Sequence, residues 1–295
     1  MLDCLVIGGG PAGLLAATYL GRYRRRVRVI DAGESRASKI PESHNYPGFF
    51  GINGNEILLR LRLQAESYGA ELTSARVTSL RIRRDTFVAS ASSFDVEARF
   101  VLLATGLVDR CLPIEYDVAD YSADLIRFCP ICDGYEAMDQ RVGVLGDVDA
   151  AGKKALFLRT YTKYVSVFDT CSKVETTDMR RALKEANIPV LDKPSHIKIT
   201  DKGQIAMLTE NGASHAVDAI YPAMGCVVRS ELAKALGAAC TPLGNLIVDD
   251  HQHTTVPKLY AAGDVVSDLH QLSVAFGHAA LAATSIHNQL SLNWR

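Results

Sequence analysis

The sequence carries almost no net charge and contains no long apolar run. Its formal charge at pH 7 is −1 over 295 residues, which argues against partners that bind an excess of one charge, such as nucleic acid or an anionic membrane. No stretch reaches the roughly 18 apolar residues of a transmembrane helix, and no secretory signal pattern is present. We therefore expect a cytoplasmic protein with neither a nucleic-acid nor a membrane partner.

Cysteine is scarce, and low-complexity sequence is lacking. The seven cysteines are odd in number and include one closely spaced pair, which excludes the disulfide framework of a small secreted protein. The composition, 48% apolar and 22% charged, is typical of a soluble globular chain, and the length favours two domains. The one dense basic run, Arg22 and Arg24 to Arg26, is interpreted as a solvated loop.

Two segments of the chain share one layout, a strand, a turn, a helix, a second strand and then an acidic residue. The first has strands at 5–7 and 27–30, a turn at 8–13, a helix at 14–20 and then Asp31. The second has strands at 142–145 and 165–168, a turn from Gly146, a helix at 151–160 and then Asp169. Equal spacing from turn glycine to acid predicts two nucleotide-binding βαβ units and an α/β fold.

The first turn carries a dinucleotide-binding fingerprint. Gly8, Gly10 and Gly13 form G-x-G-x-x-G between a predicted strand and a predicted helix. These glycines allow a tight turn, approach of the backbone to a pyrophosphate, and close packing of helix on strand. Free amides at the helix start would face the phosphates, and Asp31 is placed to accept a hydrogen bond from a ribose hydroxyl.

The second chemical motif is Cys129-Pro130-Ile131-Cys132-Asp133-Gly134. Two cysteines at this spacing can form and break a disulfide, and Pro130 suits the first position of a helix capped by Cys129. A helix start lowers a thiol pKa and favours the reactive thiolate. Half of a zinc site is the alternative, but no second pair has suitable spacing, so we expect no metal.

Five motifs occur in the order found in low-molecular-weight thioredoxin reductases, the two-domain branch of the flavoprotein disulfide reductases, and the chain resembles that family over essentially its whole length. They are Gly8–Gly13, His44–Gly48, Ala104–Gly106, Cys129–Gly134 and Ala261–Val265. The resemblance implies two Rossmann-like (FAD/NAD(P)-binding) domains, the second inserted into the first. The FAD domain would comprise 1–114 and 227–295, and the inserted domain with the cysteines 115–226.

The resemblance also implies roles for single residues. Cys132 would face the flavin, Cys129 would exchange with the substrate, and Asp133 would handle protons. FAD would be held by Gly8, Gly10, Pro11, Ala12, Gly13, Asp31, Arg36, Asn45, Thr105, Gly106, Gly263, Asp264, Gln271 and Leu272. A thioredoxin-like protein or a small dithiol or disulfide would be the substrate, and the chain would form a homodimer.

The second nucleotide site departs from the family's pattern. Its turn reads Gly146-Asp147-Val148-Asp149-Ala150-Ala151, so Val148 replaces the glycine that admits a pyrophosphate, and two acids lie where phosphates would bind. Asp169 follows the next strand where the family carries a basic element for the 2′-phosphate of NADPH. We therefore expect NADPH not to be the electron donor, which leaves NADH, ferredoxin or a second FAD open.

The sequence thus predicts an FAD-dependent thiol–disulfide oxidoreductase in which flavin and the Cys129–Cys132 pair exchange electrons. Three alternatives stay open at this point. They are a dithiol oxidase that passes electrons to oxygen, an NAD(P)H-dependent thioredoxin reductase, and a non-catalytic flavin redox sensor.

Overall fold

The chain forms two compact units in a computed structural model that describes residues 1–110, 115–116, 125–171, 177–199 and 204–294. The first unit comprises Met1–Glu42, Tyr46–Val108 and Val227–Arg295, and the second comprises Ser43–Asn45 and Asp109–Cys226. The predicted domain boundary at residue 114 lies outside the described residues.

The first unit is built on a mixed sheet. Its strands are β1 (Leu2–Ile7), β2 (Val27–Asp31), β3 (Glu71–Ser74), β4 (Val77–Arg83), β5 (Thr86–Ala91), β6 (Asp95–Leu103) and β17 (Leu259–Ala261). Within the described residues they are ordered β3-β2-β1-β6-β5-β4, and β17 also pairs with β6. Strands β3, β2, β1, β6 and β17 run parallel, and β4 and β5 are antiparallel additions.

The described residues of the first unit form the α-helices α1 (Pro11–Arg22), α2 (Gly54–Ser67), α6 (Glu231–Lys234) and α7 (Leu272–Gln289). Successive side chains of a strand point to opposite faces, so each buried strand serves two cores. In β1, Cys4 and Val6 pack with α1 and α7, whereas Leu5 and Ile7 pack with β5 and the segment around α6. This double burial explains the continuous apolar run at the start of the chain.

The described residues of the second unit form two smaller sheets. Its strands are β8 (Glu115–Tyr116), β9 (Val142–Gly146), β10 (Val165–Asp169), β11 (Val190–Leu191), β12 (Pro194–Ile199), β13 (Ile205–Thr209), β14 (Ser214–Val217) and β15 (Ala219–Pro222). Its helices are α3 (Pro130–Asp133), α4 (Val148–Leu158) and α5 (Thr177–Glu185). In the described part of the chain, β11-β10-β9-β15 form a parallel sheet and β14-β13-β12-β8 a mixed one.

The chain passes between the units in two short strands, β7 (Leu107–Asp109) and β16 (Cys226–Val228), which pair with each other. The amide of Arg110 also donates to the carbonyl of Gly225 at 3.1 Å. The second unit's main segment therefore enters and leaves the first unit's chain at neighbouring points.

Two expectations from the sequence need correction. Helix α4 begins at Val148 rather than at residue 151, because Asp147 caps it. The basic run is not uniformly solvated, since Arg25 is only 7% exposed. Its guanidinium donates to Nδ1 and the carbonyl of His287 and to the carbonyl of Ser291, at 2.9–3.2 Å. A buried arginine is tolerated here because carbonyls at the end of α7 satisfy it.

No helix among the described residues is both long enough and apolar enough to cross a membrane. In the same part of the chain, no group of three or more histidine, cysteine or acidic side chains is placed to hold a metal ion.

Candidate active site

The predicted cofactor residues of the first unit gather at one edge of its sheet. Strands β1, β2, β6 and β17 are parallel and end at Ile7, Asp31, Leu103 and Ala261. Their carboxyl ends therefore lie together, which is where open α/β sheets bind ligands.

The glycine-rich turn after β1 is closely packed on its protein side. A Cβ at Gly8 would lie 2.3 Å from the carbonyl oxygen of Ala104, and one at Gly13 would lie 1.9 Å from that of Gly8. The amide of Gly9 donates to Oδ1 of Asp31 at 2.9 Å, which ties the turn to the end of β2. Asp31 thus orients the turn in addition to its predicted ribose contact.

The start of α1 is open toward a ligand. Gly10 is its N-cap and Pro11 its first residue, and Gly10 has no side chain with which to cap the amides. The one described atom within 4 Å of a Cβ at Gly10 would be the hydroxyl oxygen of Ser35, at 3.3 Å. The turn therefore leaves room for a pyrophosphate beside uncapped amides, which fits FAD.

The other predicted FAD residues of the first unit lie near this turn or at the start of α7. A Cβ at Gly263 would lie 3.1 Å from that of Ala12, and Arg36 lies 3.8 Å from Oδ2 of Asp264. Gln271 is the N-cap of α7, and Leu272 is its first residue and packs against the cluster around Leu14. Thr105 donates to the carbonyl of Arg229 at 2.6 Å, and Gly106 has φ +64°.

Asn45 is placed differently from the rest of the predicted FAD set. It groups with the second unit, where its Nδ2 lies 3.5 Å from the carbonyl of Ile131. The neighbouring His44 approaches Glu136, with Nε2 and Oε1 4.0 Å apart. The short segment Ser43–Asn45 thus contacts the helix of the cysteine motif.

Cys129 and Cys132 are joined by a disulfide, with their Cα atoms 5.3 Å apart. As the sequence predicts, Cys129 is the N-cap of α3 and Pro130 follows as the first helical residue. The amide of Cys132 donates to the carbonyl of Cys129 at 2.9 Å. The motif therefore closes as one turn, which brings its two sulfurs into bonding distance.

Asp133 ends the same turn and is mostly buried. Burial raises the pKa of its carboxyl, while a hydrogen bond from Tyr221 and the charge of Arg127 act in the opposite direction. The hydroxyl of Tyr221 lies 2.7 Å from Oδ1 of Asp133. An acid whose pKa is raised beside a disulfide is suited to proton transfer to or from a thiol.

In the second nucleotide fingerprint, the side chain of Asp147 caps the start of helix α4. Oδ1 of Asp147 accepts hydrogen bonds from the amides of Asp149 at 3.1 Å and Ala150 at 3.0 Å. These are the amides that would otherwise be available to a phosphate. Val148, where the family has glycine, is 7% exposed and packs in the core beneath the helix.

Asp169, at the end of β10, is also engaged within the protein. Its Oδ1 accepts from the amide of Cys171 at 3.0 Å, and its Oδ2 lies 3.6 Å from a guanidinium nitrogen of Arg180. Both oxygens of the Asp169 carboxylate therefore have partners within the protein, and Arg180 is one of them.

Sequence reasoning missed Tyr221 and Lys154. Tyr221 lies in an apolar strand and is fully buried, and a buried tyrosine hydroxyl needs a partner, which was the available signal. Nζ of Lys154 donates to the carbonyls of Phe128 at 3.0 Å and Pro222 at 2.6 Å, so it ties α4 to the segment before the disulfide and to β15. No local sequence pattern predicts these two hydrogen bonds of Lys154.

The fold and the site together define a class, the two-domain α/β oxidoreductases that contain a Cys-x-x-Cys disulfide and a dinucleotide-binding βαβ unit. The sequence profile of the pyridine nucleotide-disulphide oxidoreductases matches residues 2–281. The chain belongs to that family and is a thioredoxin reductase-like flavoprotein disulfide oxidoreductase. The predicted family, fold class and enzyme class are thereby confirmed.

Individual relatives agree over nearly the full chain. It is 29% identical to the thioredoxin reductase of Treponema pallidum, covering 95% of this chain and 94% of that protein. The solved thioredoxin reductase of Streptococcus pyogenes is 26% identical with a TM-score of 0.89, covering 98% and 97% of the two chains. The atypical thioredoxin reductase TRi of Desulfovibrio vulgaris Hildenborough is 31% identical with a TM-score of 0.55, covering 99% and 100%.

Proposed function

We propose that this protein is an FAD-dependent thiol–disulfide oxidoreductase whose Cys129–Cys132 pair exchanges electrons with a thioredoxin-like protein or a small dithiol or disulfide, and that NADPH is not its electron donor. The observation that carries the second part is the contrast between its two fingerprints. The amides that begin α1 are uncapped beside an open glycine turn, whereas those that begin α4 are taken by the Asp147 side chain.

The first fingerprint supports FAD as the cofactor of the first unit. Gly8 to Gly13 would cradle its pyrophosphate, and Asp31 would accept from its ribose. Arg36 and Asp264 are close enough to contact its polar groups together. When bound, FAD supplies a two-electron carrier that restores the oxidation state of the disulfide after each exchange.

The exchange itself needs the two cysteines and one acid. In the reducing direction, the Cys129 thiolate attacks a sulfur of the substrate disulfide, and a mixed disulfide forms as the substrate's second sulfur leaves as a thiolate. Cys132 then attacks the Cys129 sulfur, which re-forms the internal disulfide and releases the first substrate sulfur. Asp133 gives a proton to a departing thiolate, and the reverse sequence oxidises a dithiol.

The surface around the disulfide suits a protein substrate. Three apolar side chains of α3 and the turn after it are exposed: Ile131 at 49%, Tyr135 at 70% and Met138 at 46%. Exposed apolar side chains beside a reactive group favour docking of a partner surface. The names of the relatives, which are thioredoxin reductases, support a thioredoxin-like substrate.

The second nucleotide site disfavours NADPH on three counts. Asp147 competes with a pyrophosphate for the amides, Val148 leaves no glycine for close backbone approach, and Asp169 repels a 2′-phosphate. Ferredoxin, NADH, a second FAD and, in the oxidising direction, molecular oxygen are the remaining redox partners.

An anaerobic titration of the purified holoenzyme tests this proposal. NADPH, NADH, reduced ferredoxin and dithiothreitol are added separately while the flavin absorption band is followed. We expect prompt bleaching with dithiothreitol and none with NADPH. Prompt bleaching by NADPH would refute the donor assignment, and bleaching by dithiothreitol that survives in both Cys129→Ser and Cys132→Ser would refute the role of the disulfide.

Two further measurements complete the assignment. Flavin counted per chain tests for a second FAD, and oxygen uptake with peroxide release in the presence of a dithiol identifies the oxidase direction. The homodimer stays a prediction that light scattering of the holoenzyme can check, and cytoplasmic location stays a prediction for cell fractionation.

A further inference from the structure

Tyr221 joins the parallel sheet of the second unit to the disulfide motif. It lies on β15, pairs in register with Val144 of β9, and is fully buried. Its hydroxyl lies 2.7 Å from Oδ1 of Asp133 and 3.2 Å from the carbonyl oxygen of that residue. A hydroxyl has one proton, and the shorter contact marks Oδ1 as its acceptor.

Four ionisable groups on different elements influence Asp133. Arg127, before α3, donates to the carbonyl of Asp133 at 3.3 Å, and Lys154 approaches from α4. Glu136 follows α3 and opposes ionisation, whereas the Tyr221 hydrogen bond favours it. Burial raises the pKa of Tyr221 far above its usual value, so its hydroxyl stays protonated and remains a donor throughout the working pH range.

We propose that Tyr221 is a positioning residue for proton transfer at the redox disulfide: its hydroxyl holds Oδ1 of Asp133 and directs the exchangeable proton to Oδ2. This inference rests on the role of Asp133 in the proposed function. The step moves one proton from the Asp133 carboxyl to a departing thiolate, which leaves a carboxylate and a thiol and changes no oxidation state. The carboxylate left behind is stabilised at once by the Tyr221 donor.

Tyr221→Phe tests the inference because it removes the donor and keeps the ring. Without that hydrogen bond the Asp133 carboxylate is less stable, so the pKa of its carboxyl rises. The pH–rate profile of anaerobic flavin bleaching by dithiothreitol is measured for the wild type, Asp133→Asn and Tyr221→Phe. We expect Asp133→Asn to abolish one limb of the profile and Tyr221→Phe to move that limb to higher pH by about one unit.

A spectroscopic measurement separates positioning from general damage to the fold. Infrared difference spectra of wild type against Asp133→Asn isolate the protonated-carboxyl band of Asp133, and its titration should move upward with the rate profile in Tyr221→Phe. Tyr260→Phe is the matched control, since Tyr260 lies on β17 of the first unit, is also fully buried, and bonds through its hydroxyl to His253 and to Ser285 of α7. Tyr260→Phe should leave the Asp133-dependent limb of the pH–rate profile at the same pH as in the wild type.

The outcomes distinguish the positioning role of Tyr221 from the proposed proton-transfer role of Asp133. If Asp133→Asn keeps the full wild-type rate and profile, the proposed role of Asp133 fails. If Asp133→Asn removes the limb but Tyr221→Phe leaves it unmoved, the positioning role of Tyr221 is overturned. If Tyr221→Phe does not fold, site-specific fluorotyrosine at 221, a stronger donor, should move the limb to lower pH, and an unchanged limb there overturns the inference.

Discussion

Gly10 and Gly13 share one turn but lack side chains for different reasons. A Cβ at Gly13 would lie 1.9 Å from the carbonyl oxygen of Gly8, so the fold itself excludes it. A Cβ at Gly10 would meet only the Ser35 hydroxyl, at 3.3 Å among the described atoms. The space at Gly10 is consistent with the ligand contact proposed for it, whereas Gly13 is required for the packing of α1 against β1.

Exchanging each glycine for alanine should separate these roles. Gly10→Ala should fold with the wild-type melting temperature but bind FAD about tenfold more weakly, which corresponds to about 1.4 kcal/mol. Gly13→Ala should lose about 2–3 kcal/mol of stability through overpacking. Flavin per chain after gel filtration and thermal melts of the flavin-free proteins measure both effects. Full flavin retention in Gly10→Ala would contradict the assignment of the turn.

At the same scale, the sequence predicted the glycine-rich turn and the disulfide but not the side chains that contact and support them. Glycine spacing and Cys-x-x-Cys marked the turn and the disulfide because the chemistry of each depends on neighbours in sequence. Tyr221 and Asp133 are 88 positions apart, and apolar periodicity could mark Tyr221 only as a buried strand residue. The hydroxyl reaches Asp133 because the tertiary fold brings β15 close to the end of α3.

Helix α4 shows how one side chain can redefine an element. The apolar pattern placed its start at residue 151, but Asp147 accepts from two first-turn amides and extends the helix to Val148. The acids that the sequence suggested would repel phosphates thus include one that replaces them as the acceptor. Negative charge at a helix start is stabilising in either case.

Asp147→Ala should destabilise the second unit by about 1 kcal/mol, the usual cost of losing an N-cap. Chemical denaturation of the wild type and the variant measures this loss. Asp149→Ala is the neighbouring control, since its carboxylate is not the cap. A variant as stable as the wild type would show that the amides find another acceptor.

The starts of β9 and β15 are linked by an ion pair that should respond to pH. Arg141 donates from Nε and a terminal nitrogen to both oxygens of Asp218, at 3.1 and 2.6 Å, and this bonding lowers the pKa of the Asp218 carboxyl despite partial burial. A lowered pKa means that the pair's contribution is complete above the pKa of the unfolded state. It is lost as the pH falls through the folded-state pKa.

Asp218→Asn should therefore be less stable than the wild type at pH 7, and the difference should shrink as the pH falls below the ordinary aspartate pKa of about 3.9. Urea unfolding across that range measures it. Asp178→Asn removes a pair that is exposed on both sides and should change little at any pH. If the stability difference between Asp218→Asn and the wild type grew on acidification, the lowered pKa of Asp218 would be contradicted.

At the scale of the whole molecule, α7 is fixed at its far end by a residue from the opposite part of the sequence. Arg25 satisfies two carbonyls and one ring nitrogen where α7 ends. Arg25→Ala should cost about 2–4 kcal/mol, since it removes three hydrogen bonds made by a buried guanidinium together with the packing of its side chain. Thermal melts measure the loss, with exposed Arg26→Ala as the control, and equal melting temperatures for the two variants would refute it.

The overall architecture followed from the sequence to a useful degree. Two strand–turn–helix–strand patterns predicted two βαβ units, and β1, α1, β2, β9 and β10 lie where they indicated. The antiparallel strands β4 and β5, the mixed sheet of β12–β14 and the pairing of β7 with β16 were not predicted. These features depend on which strands pair in three dimensions, and the sequence of a short alternating segment does not indicate which strand it pairs with.

The pairing of β7 with β16 has a practical consequence for the chain's modularity. Because the main segment of the second unit, Asp109–Cys226, leaves and re-enters at adjacent strands, it can be excised as one cassette and its cut ends bridged by a short hairpin turn. Exchange of this cassette between relatives would transfer the disulfide and the second nucleotide site together. The Asp147-capped helix would move with the cassette, and the glycine-rich turn of the first unit would stay in place.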